Sequence, residues 1–442
     1  MVAAETLYYL KHHSFREAQT SHLKTEFSGR VVGSLAKVIL GLLLLPVPHN
    51  SIWAVTFRIN RTSMIKVHQW LGNTFLALMT AHGTLMVVAS RDYGKPWIAF
   101  PNNFTIPLIV IASLLVMFTM GLLSRDCIRR WLYEVFLFGH VAATLVLIPA
   151  VFLHADGAWK FAIGGVVLWL IDHAIRFARA TNLVKLKEAS VYCGGDVLKL
   201  SYVIESGGNM CTMPNARKFE PLLHGMGQHV YINVPEISKL EWHPFSISSA
   251  AEDGETTHHI KTKGPGSFSQ RLIDLAQTNP LHNIRINIDG PYGVPLEYTR
   301  YEKIIFVAGG IGITNIHSSF KTLYVLAKAG LLPVTRVHLI WVAKTPDYFD
   351  MFQETFRTVG QDSLHTRFKF SFYATRHDAA NLQPSTVPFQ IGKPNLLRDL
   401  VGLSAYGMHA LINVSGPALL RETCHRLAIK CGVDFQEAAF EI

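Results

Sequence analysis

The sequence predicts an α-helical transmembrane bundle followed by a β-barrel domain and an α/β nucleotide-binding domain. Three observations carry this. Apolar residues make up 49% of the 442 positions and charged ones only 16%, too oily a balance for an ordinary soluble chain unless part of it sits in lipid. From about residue 190 the texture changes to short β-rich runs such as Val197 to Ile204 and His229 to Val234, broken by Gly-Gly and Pro signals. After Tyr301 a strand-like run, Ile304 to Ala308, a Gly-rich turn, a helical run to Ala329 and a second strand-like run, Val337 to Val342, make a βαβ unit.

The bundle comes first. Apolar stretches of about the 20 residues that cross a bilayer recur at 31–57, 64–90, 105–124, 131–154 and 158–178. Cationic residues gather in alternate loops: Arg58, Arg61 and Lys66, then Arg125, Arg129 and Arg130, then Arg176, Arg179, Lys185 and Lys187. The positive-inside rule makes that side, and with it the C-terminal half, cytosolic. It also places residues 1–30, with Lys11, Arg16, Lys24 and Arg30, on the outer side against the same rule. A helix ahead of residue 31 is therefore expected to be missing, in a chain shortened at its start. Residues 1–27 lack the basic start, apolar run and small-residue site of a cleaved leader.

The formal charge of +10 does not point to nucleic acid, because its short basic clusters flank apolar stretches instead of forming a run. The five cysteines, Cys127, Cys193, Cys211, Cys424 and Cys431, show neither a CxxC pair nor regular spacing, so no disulfide framework or zinc site is expected.

Two spans each carry two histidines fourteen residues apart, His68 with His82 and His140 with His154. Fourteen residues of helix return a side chain to within about 40° of its starting face, about 21 Å along the axis. Because one span lies between them, the two helices run in the same direction, and His68 can face His140 while His82 faces His154. Ionisable residues inside a bilayer are costly and functional by default. An imidazole on each side of a flat macrocycle is bis-His ligation of two b-type haems, suited to electron transfer. His173 has no partner at such a spacing and is expected to be structural.

Further along, Gly227-Gln228-His229-Val230 precedes His243-Pro244-Phe245-Ser246, and His259-Ile260-Lys261 follows. Then come Asp289-Gly290-Pro291-Tyr292-Gly293, and Ala308-Gly309-Gly310-Ile311-Gly312-Ile313-Thr314 between strand and helix, where bare N–H groups can take a pyrophosphate. Trp341-Val342-Ala343-Lys344, Thr375-Arg376, Gly392-Lys393-Pro394-Asn395 and Ser415-Gly416-Pro417 complete the series. With Leu45-Pro46-Val47, Asn50 and His68-Gln69-Trp70-Leu71-Gly72, these segments resemble the ferric reductase and NADPH oxidase family over residues 30–442, a family whose cytosolic half is similar to ferredoxin-NADP reductase.

The resemblance implies FAD against His243, Pro244, Phe245 and Ser246, with His259, Ile260 and Lys261 at its diphosphate. It implies NADPH against Gly309, Gly310, Gly312, Thr314, Lys344, Gly416 and Pro417, with Thr375 and Arg376 at the 2′-phosphate, where an Arg fork suits the anion. Ser415 stands where the family commonly has Cys near the nicotinamide, Lys344 where it has Arg, and Asn315 where it has Pro, the last a loss of rigidity more than of chemistry. Phe440 resembles the C-terminal aromatic that covers the flavin, and Arg30 an outer-surface Arg beside the outer haem. The family's first of six spans has no counterpart here.

The implied domains are an N-terminal segment (1–30), a transmembrane bis-haem domain (31–180), an FAD-binding β-barrel (188–295) and an NADPH-binding α/β domain (300–442). The implied activity moves electrons from cytosolic NADPH through FAD and two haems to an outer ferric chelate, in a plasma-membrane protein. Dioxygen as the acceptor, giving superoxide, and a haem-binding membrane protein without reductase activity are the alternatives.

Overall fold

The computed structural model describes residues 21–48, 59, 61–92, 105–180, 184–204, 226–293, 298, 300–332, 334–376, 385–401 and 409–437. The chain divides into two units, Met1–Ala174 with Ile442, and Ile175–Glu441.

The first unit is helical: α1 (Ser21–Leu44), α2 (Arg61–Asp92), α3 (Thr105–Leu123), the short α4 (Asp126–Trp131), α5 (Tyr133–His154) and α6 (Ala158–Ala180), whose last turns belong to the second unit. Four helices among the described residues are long and apolar enough to cross a membrane: Lys24–Leu44, Ser63–Ala89, Val135–His154 and Ala158–Ala178; Val110–Leu123 is apolar but shorter. Helices close their backbone hydrogen bonds internally, as a lipid environment demands. The first span thus differs from the expected 31–57, because α1 begins ten residues earlier and stops at Leu44. Pro46 and Pro48 account for the stop, since proline has no N–H and restricts the residue before it. Small residues let the helices close on one another. A Cβ on Gly41 would lie 2.6 Å from the Phe161 carbonyl oxygen, and one on Gly165 2.4 Å from Leu44 Cβ.

The second unit has two halves. In the first, β1 (Val184–Tyr192), β2 (Val197–Ile204), β3 (His229–Asn233), β4 (His243–Ser246), β5 (Thr256–Lys261), α7 (Phe268–Thr278) and β6 (Asn287–Tyr292) follow in order. Where a β-barrel is expected, the strands among the described residues form two three-stranded antiparallel sheets, β1-β2-β5 and β4-β3-β6. They share one core. Leu198, Leu200 and Ile260 from one sheet meet Val230, Ile232 and Ile288 from the other, with Leu272 and Ile273 of α7 beside them. Alternation along each strand supplies these inward faces. Pro244 is tolerated because β4 is an edge strand. At the far end, Arg176 Nε of α6 donates to the buried Asp289 Oδ2 at 2.7 Å, and the Tyr292 hydroxyl donates to Oδ1 at 2.7 Å.

The second half comprises β7 (Lys303–Gly309), α8 (Ile313–Lys328), β8 (Arg336–Ala343), α9 (Gln353–Gln361), β9 (Phe368–Ala374), β10 (Gln390–Ile391), α10 (Leu396–Val401), β11 (Ala410–Ser415), α11 (Ala418–Cys431) and β12 (Asp434–Glu437). These strands make one parallel sheet in the order β10-β9-β8-β7-β11-β12. Helices cover both faces of such a sheet, so its strands read as near-continuous apolar runs, Ile304 to Ala308 and Val337 to Ala343 among them. Phe306, Phe320, Leu339, Trp341 and Phe349, none more than 1% exposed, fill one of its cores. The strand order reverses between β7 and β11, and that switch point is where a crevice opens at the carboxyl ends.

Candidate functional site

In the helical unit, the His68 and His140 rings have centroids 6.1 Å apart at 67°, and the His82 and His154 rings 6.2 Å apart at 70°. A first-row metal binds an imidazole nitrogen at about 2.0–2.1 Å, and each nitrogen is about 1.1 Å from its ring centre. Two imidazoles on opposite sides of one metal therefore have centres about 6.2 Å apart. Both pairs fit that spacing. Among the described residues no group of three or more His, Cys, Asp or Glu gathers as a metal site, so the donor set suits an ion whose other positions a flat ligand fills.

The ring orientations are fixed from α1. Nδ1 of His68 lies 2.9 Å from the Leu43 carbonyl oxygen, and Nδ1 of His82 lies 2.7 Å from that of Gly29. A carbonyl only accepts, so each Nδ1 carries the proton and each Nε2 keeps its lone pair. Gly29 and Leu43 are themselves fourteen residues apart, matching the histidines. Gly33 leaves room for this, since a Cβ there would meet His82 Nδ1 at 2.9 Å. The buried Nδ1 of His140 has no hydrogen-bond partner among the described residues. Arg30 follows Gly29 on the turn that reaches His82, and its guanidinium pairs with Glu26. His173 Nδ1 is bonded within its own helix, to the Trp169 carbonyl.

In the two-sheet half, Ser246 ends β4 with its hydroxyl buried and without a partner among the described residues. An unsatisfied buried hydroxyl is costly, and a ligand's polar atom would relieve it. Pro244 and Phe245 pair with Tyr231 and Val230 of β3, and His243 stacks on Phe268 with centroids 4.1 Å apart. Strand alternation puts His259 and Lys261 on one face of β5 and Ile260 on the other, in the core at 1% exposure. The Ile260 side chain thus packs inward between its two neighbours. His259 is buried, its Nδ1 donates to Ser248 Oγ at 2.9 Å, since that hydroxyl donates to the Thr257 carbonyl, and its Nε2 has no partner among the described residues. Burial, then the neighbouring His317, hold its imidazole well below the usual range. Lys261 Nζ is 3.0 Å from Asp196 Oδ2 and donates to the Tyr348 hydroxyl. The turn just after it carries Gly264 and Gly266 at positive φ and Ser267 capping α7. The sequence reading missed that turn, although Gly-Pro-Gly-Ser before a helical run signals a helix N-terminus.

In the parallel sheet, every segment singled out for the dinucleotide sits at a strand's carboxyl end. Gly309 ends β7, and Gly310 and Gly312 turn the chain into α8. Thr314 Oγ1 donates to the Ile311 carbonyl at 3.0 Å, and Trp341 Nε1 of β8 donates to that of Gly310 at 3.0 Å, pinning the turn. Ser415 ends β11 at 1% exposure. A Cβ on Gly309 would stand 2.6 Å from Pro417 Cδ, one on Gly312 2.5 Å from the Ser415 oxygen, and one on Gly416, at φ +154°, 2.9 Å from Gly309 Cα. Here the two glycine turns close on each other across the switch point. Lys344 and Thr375-Arg376 lie at the ends of β8 and β9, joined by Arg376 N donating to the Lys344 carbonyl at 2.9 Å, with both cationic side chains exposed. Gly392 N donates to the Ala374 carbonyl at 2.8 Å beside them. Phe440 lies outside the described residues.

Asn315 corrects one expectation. Its Nδ2 donates to the Gly227 carbonyl at 3.1 Å, so the departure from Pro adds a tie to the two-sheet half. His317, which no motif marks, is equally engaged and was not anticipated.

Three family models match successive stretches: the ferric reductase like transmembrane component over residues 32–151, an FAD-binding domain over 195–296 and the ferric reductase NAD binding domain over 301–406. Probable ferric reduction oxidase 1 of Arabidopsis thaliana is 24% identical over 366 residues, covering 80% of this chain and 50% of its own length. Ferric reduction oxidase 2 of the same plant is 26% identical over 333 residues, 74% of this chain and 44% of its own. A probable cell surface ferric reductase of Aspergillus oryzae is 24% identical over 310 residues, 66% and 40%. The chain thus spans about half or less of the length of these relatives. Among solved structures, a ferredoxin reductase in carbazole 1,9a-dioxygenase aligns with a TM-score of 0.41 at 16% identity, over 58% of this chain and 68% of that one. A flavohemoglobin from Malassezia yamatoensis aligns with a TM-score of 0.45 at 15% identity, over 93% and 98%.

Proposed function

Because this chain belongs to the ferric reductase family, by the three domains it carries in order, we propose that it is a transmembrane reductase that draws on cytosolic NADPH to reduce a ferric chelate across a plasma membrane. The observation that carries the reading is the pair of imidazole couples at 6.1 and 6.2 Å in the same chain as a flavin and a nucleotide domain. When bound, nicotinamide supplies a hydride, FAD divides its two electrons, and haem carries them singly.

The chain's own residues hold and orient. His68 with His140, and His82 with His154, would ligate two haems, with α1 fixing which nitrogen is offered. Ser246 would meet the flavin with its unsatisfied hydroxyl, and His259 and Lys261 would lie toward its diphosphate from one face of β5. Gly309, Gly310 and Gly312 allow backbone N–H groups near a pyrophosphate. Lys344 and Arg376 set two cations at adjacent strand ends, which favours the 2′-phosphate of NADPH over NADH. No side chain is required as a general acid or base.

The test is an anaerobic spectrum of purified protein. NADPH should bleach flavin absorbance, then raise reduced b-type haem bands, and ferric EDTA should restore the oxidised spectrum. Reduced haem that ignores ferric EDTA but is reoxidised by air with superoxide release would replace ferric chelate with dioxygen as the acceptor. Absence of haem bands would end the electron-path reading.

A further inference from the structure

His317 lies on α8, three residues after Thr314, and is 4% exposed. Its Nδ1 is 2.7 Å from the Ser248 carbonyl oxygen, and its Nε2 is 3.0 Å from Thr355 Oγ1. Since the carbonyl must accept, Nδ1 carries the proton and Nε2 accepts from the threonine hydroxyl. The ring also stacks on Phe352, centroids 3.9 Å apart at 22°, and the same Phe352 meets His259 at 4.4 Å. Both nitrogens and one ring face are thereby committed.

The Ser248 end of this contact is rigid. Ser248 N donates to the Thr257 carbonyl at 2.8 Å, its Oγ reaches the same oxygen at 2.9 Å, and Ile247 N donates to the Gln228 carbonyl at 3.1 Å. Two residues earlier is Ser246 with its unpartnered hydroxyl. The other end is rigid as well, because α8 grows directly out of the glycine turn that Trp341 holds. Two neighbours on α8 repeat the crossing: Asn315 to the Gly227 carbonyl at 3.1 Å, and Lys321 Nζ to Asp253 Oδ1 at 2.7 Å. Of the three, His317 has the deepest contact, and it joins the segment after Ser246, expected at the flavin, to the helix that grows from the turn expected at the dinucleotide's pyrophosphate.

We infer that His317 is a positioning residue for hydride transfer, setting the separation between the Gly309–Thr314 turn and the Ser246 end of β4. The transfer moves one proton and two electrons together from the nicotinamide ring to the flavin ring, and His317 keeps its own proton throughout. The inference rests on the reading of this unit as an FAD and NADPH pair. A misplacement of about 1 Å between reacting groups can cost up to about a hundredfold in rate.

The experiment uses the full chain in detergent, loaded with FAD, mixed anaerobically with NADPH while flavin absorbance is followed. His317→Ala should lower the limiting rate of bleaching at least about tenfold, with FAD content unchanged and NADPH Kd within about twofold. His317→Gln should restore most of the rate, since its amide can donate to Ser248 and accept from Thr355. If His317→Ala does not fold, Thr355→Val carries the test, removing one partner only; a lowered limiting rate at unchanged Kd supports the inference, and an unaltered rate overturns it. Wild-type rates in His317→Ala, or equal losses in the Ala and Gln variants, also overturn it. No bleaching in the unaltered chain overturns the FAD and NADPH reading beneath it, a result distinct from either.

Discussion

On the proposed reading, the helical unit and the parallel sheet would hold their ligands with opposite parts of the chain. In the bundle, side-chain nitrogens would do the holding, and their positions follow from a fixed count of fourteen residues along a helix. At the switch point between β7 and β11, the backbone is the surface, and the side chains that matter most are the ones missing at Gly309, Gly312 and Gly416. A site of the first kind fails when a donor is removed, and one of the second kind fails when an atom is added.

The largest expected effect tests that contrast on the donor side. His140→Ala and His68→Ala should each lower the haem-to-protein ratio from two to near one by pyridine haemochrome assay, abolishing electron delivery while flavin reduction persists. His82→Ala and His154→Ala should remove the other haem. Ratios that stay near two in all four variants would break the axial-pair reading.

The complementary test adds a single methyl group. Gly416→Ala places a Cβ 2.9 Å from Gly309 Cα at φ +154°, so strain and overpacking together should cost about 4 kcal/mol. NADPH affinity should fall by about a thousandfold, with FAD and haem content kept. An unchanged Kd would show that the two turns are not pressed together when nucleotide binds.

These two sites were legible to different degrees. The histidine pairs could be found by arithmetic, because a straight helix makes sequence spacing and spatial spacing equivalent. The dinucleotide turns were legible as glycine patterns, but the reason for Gly416 lies in Gly309, more than a hundred residues away. The end of α1 was misjudged because Pro46 and Pro48 stand inside an otherwise apolar run, where hydropathy outweighs a local break. The β-barrel was inferred from strand content alone, which does not say which edges pair. His317 and Asn315 could not be found this way, since their partners Ser248 and Gly227 come from the other half of the unit.

Those hidden contacts predict a pH response in the second unit. Burial lowers the His317 imidazole from 6.5 to about 4, against the opposing bond to the Ser248 carbonyl. Between those values the unfolded chain binds more protons, so stability present above pH 6.5 is lost as pH falls toward 4. The loss should be roughly 2 kcal/mol by pH 5, and His259 shifts in the same direction. Chemical denaturation followed by flavin fluorescence at pH 7 and pH 5 checks it. A His317→Gln variant should flatten the difference, and an equal slope in both proteins would assign it elsewhere.

The smallest effect sharpens nucleotide choice. Arg376→Ala should weaken NADPH by about 2 kcal/mol, the scale of one charge-assisted hydrogen bond, and leave NADH nearly unaltered. Equal losses for both nucleotides would move the 2′-phosphate away from the ends of β8 and β9.

The two α1 carbonyls, Gly29 and Leu43, act before any ligand arrives. Each fixes a ring of α2 in one tautomer and one direction, so the rotational freedom of both donors is lost when α1 folds against α2. A flat metal complex bound as proposed would meet one jaw already set, and its binding would have less disorder to overcome. Loading should therefore depend on the integrity of α1, a helix that carries none of the four histidines.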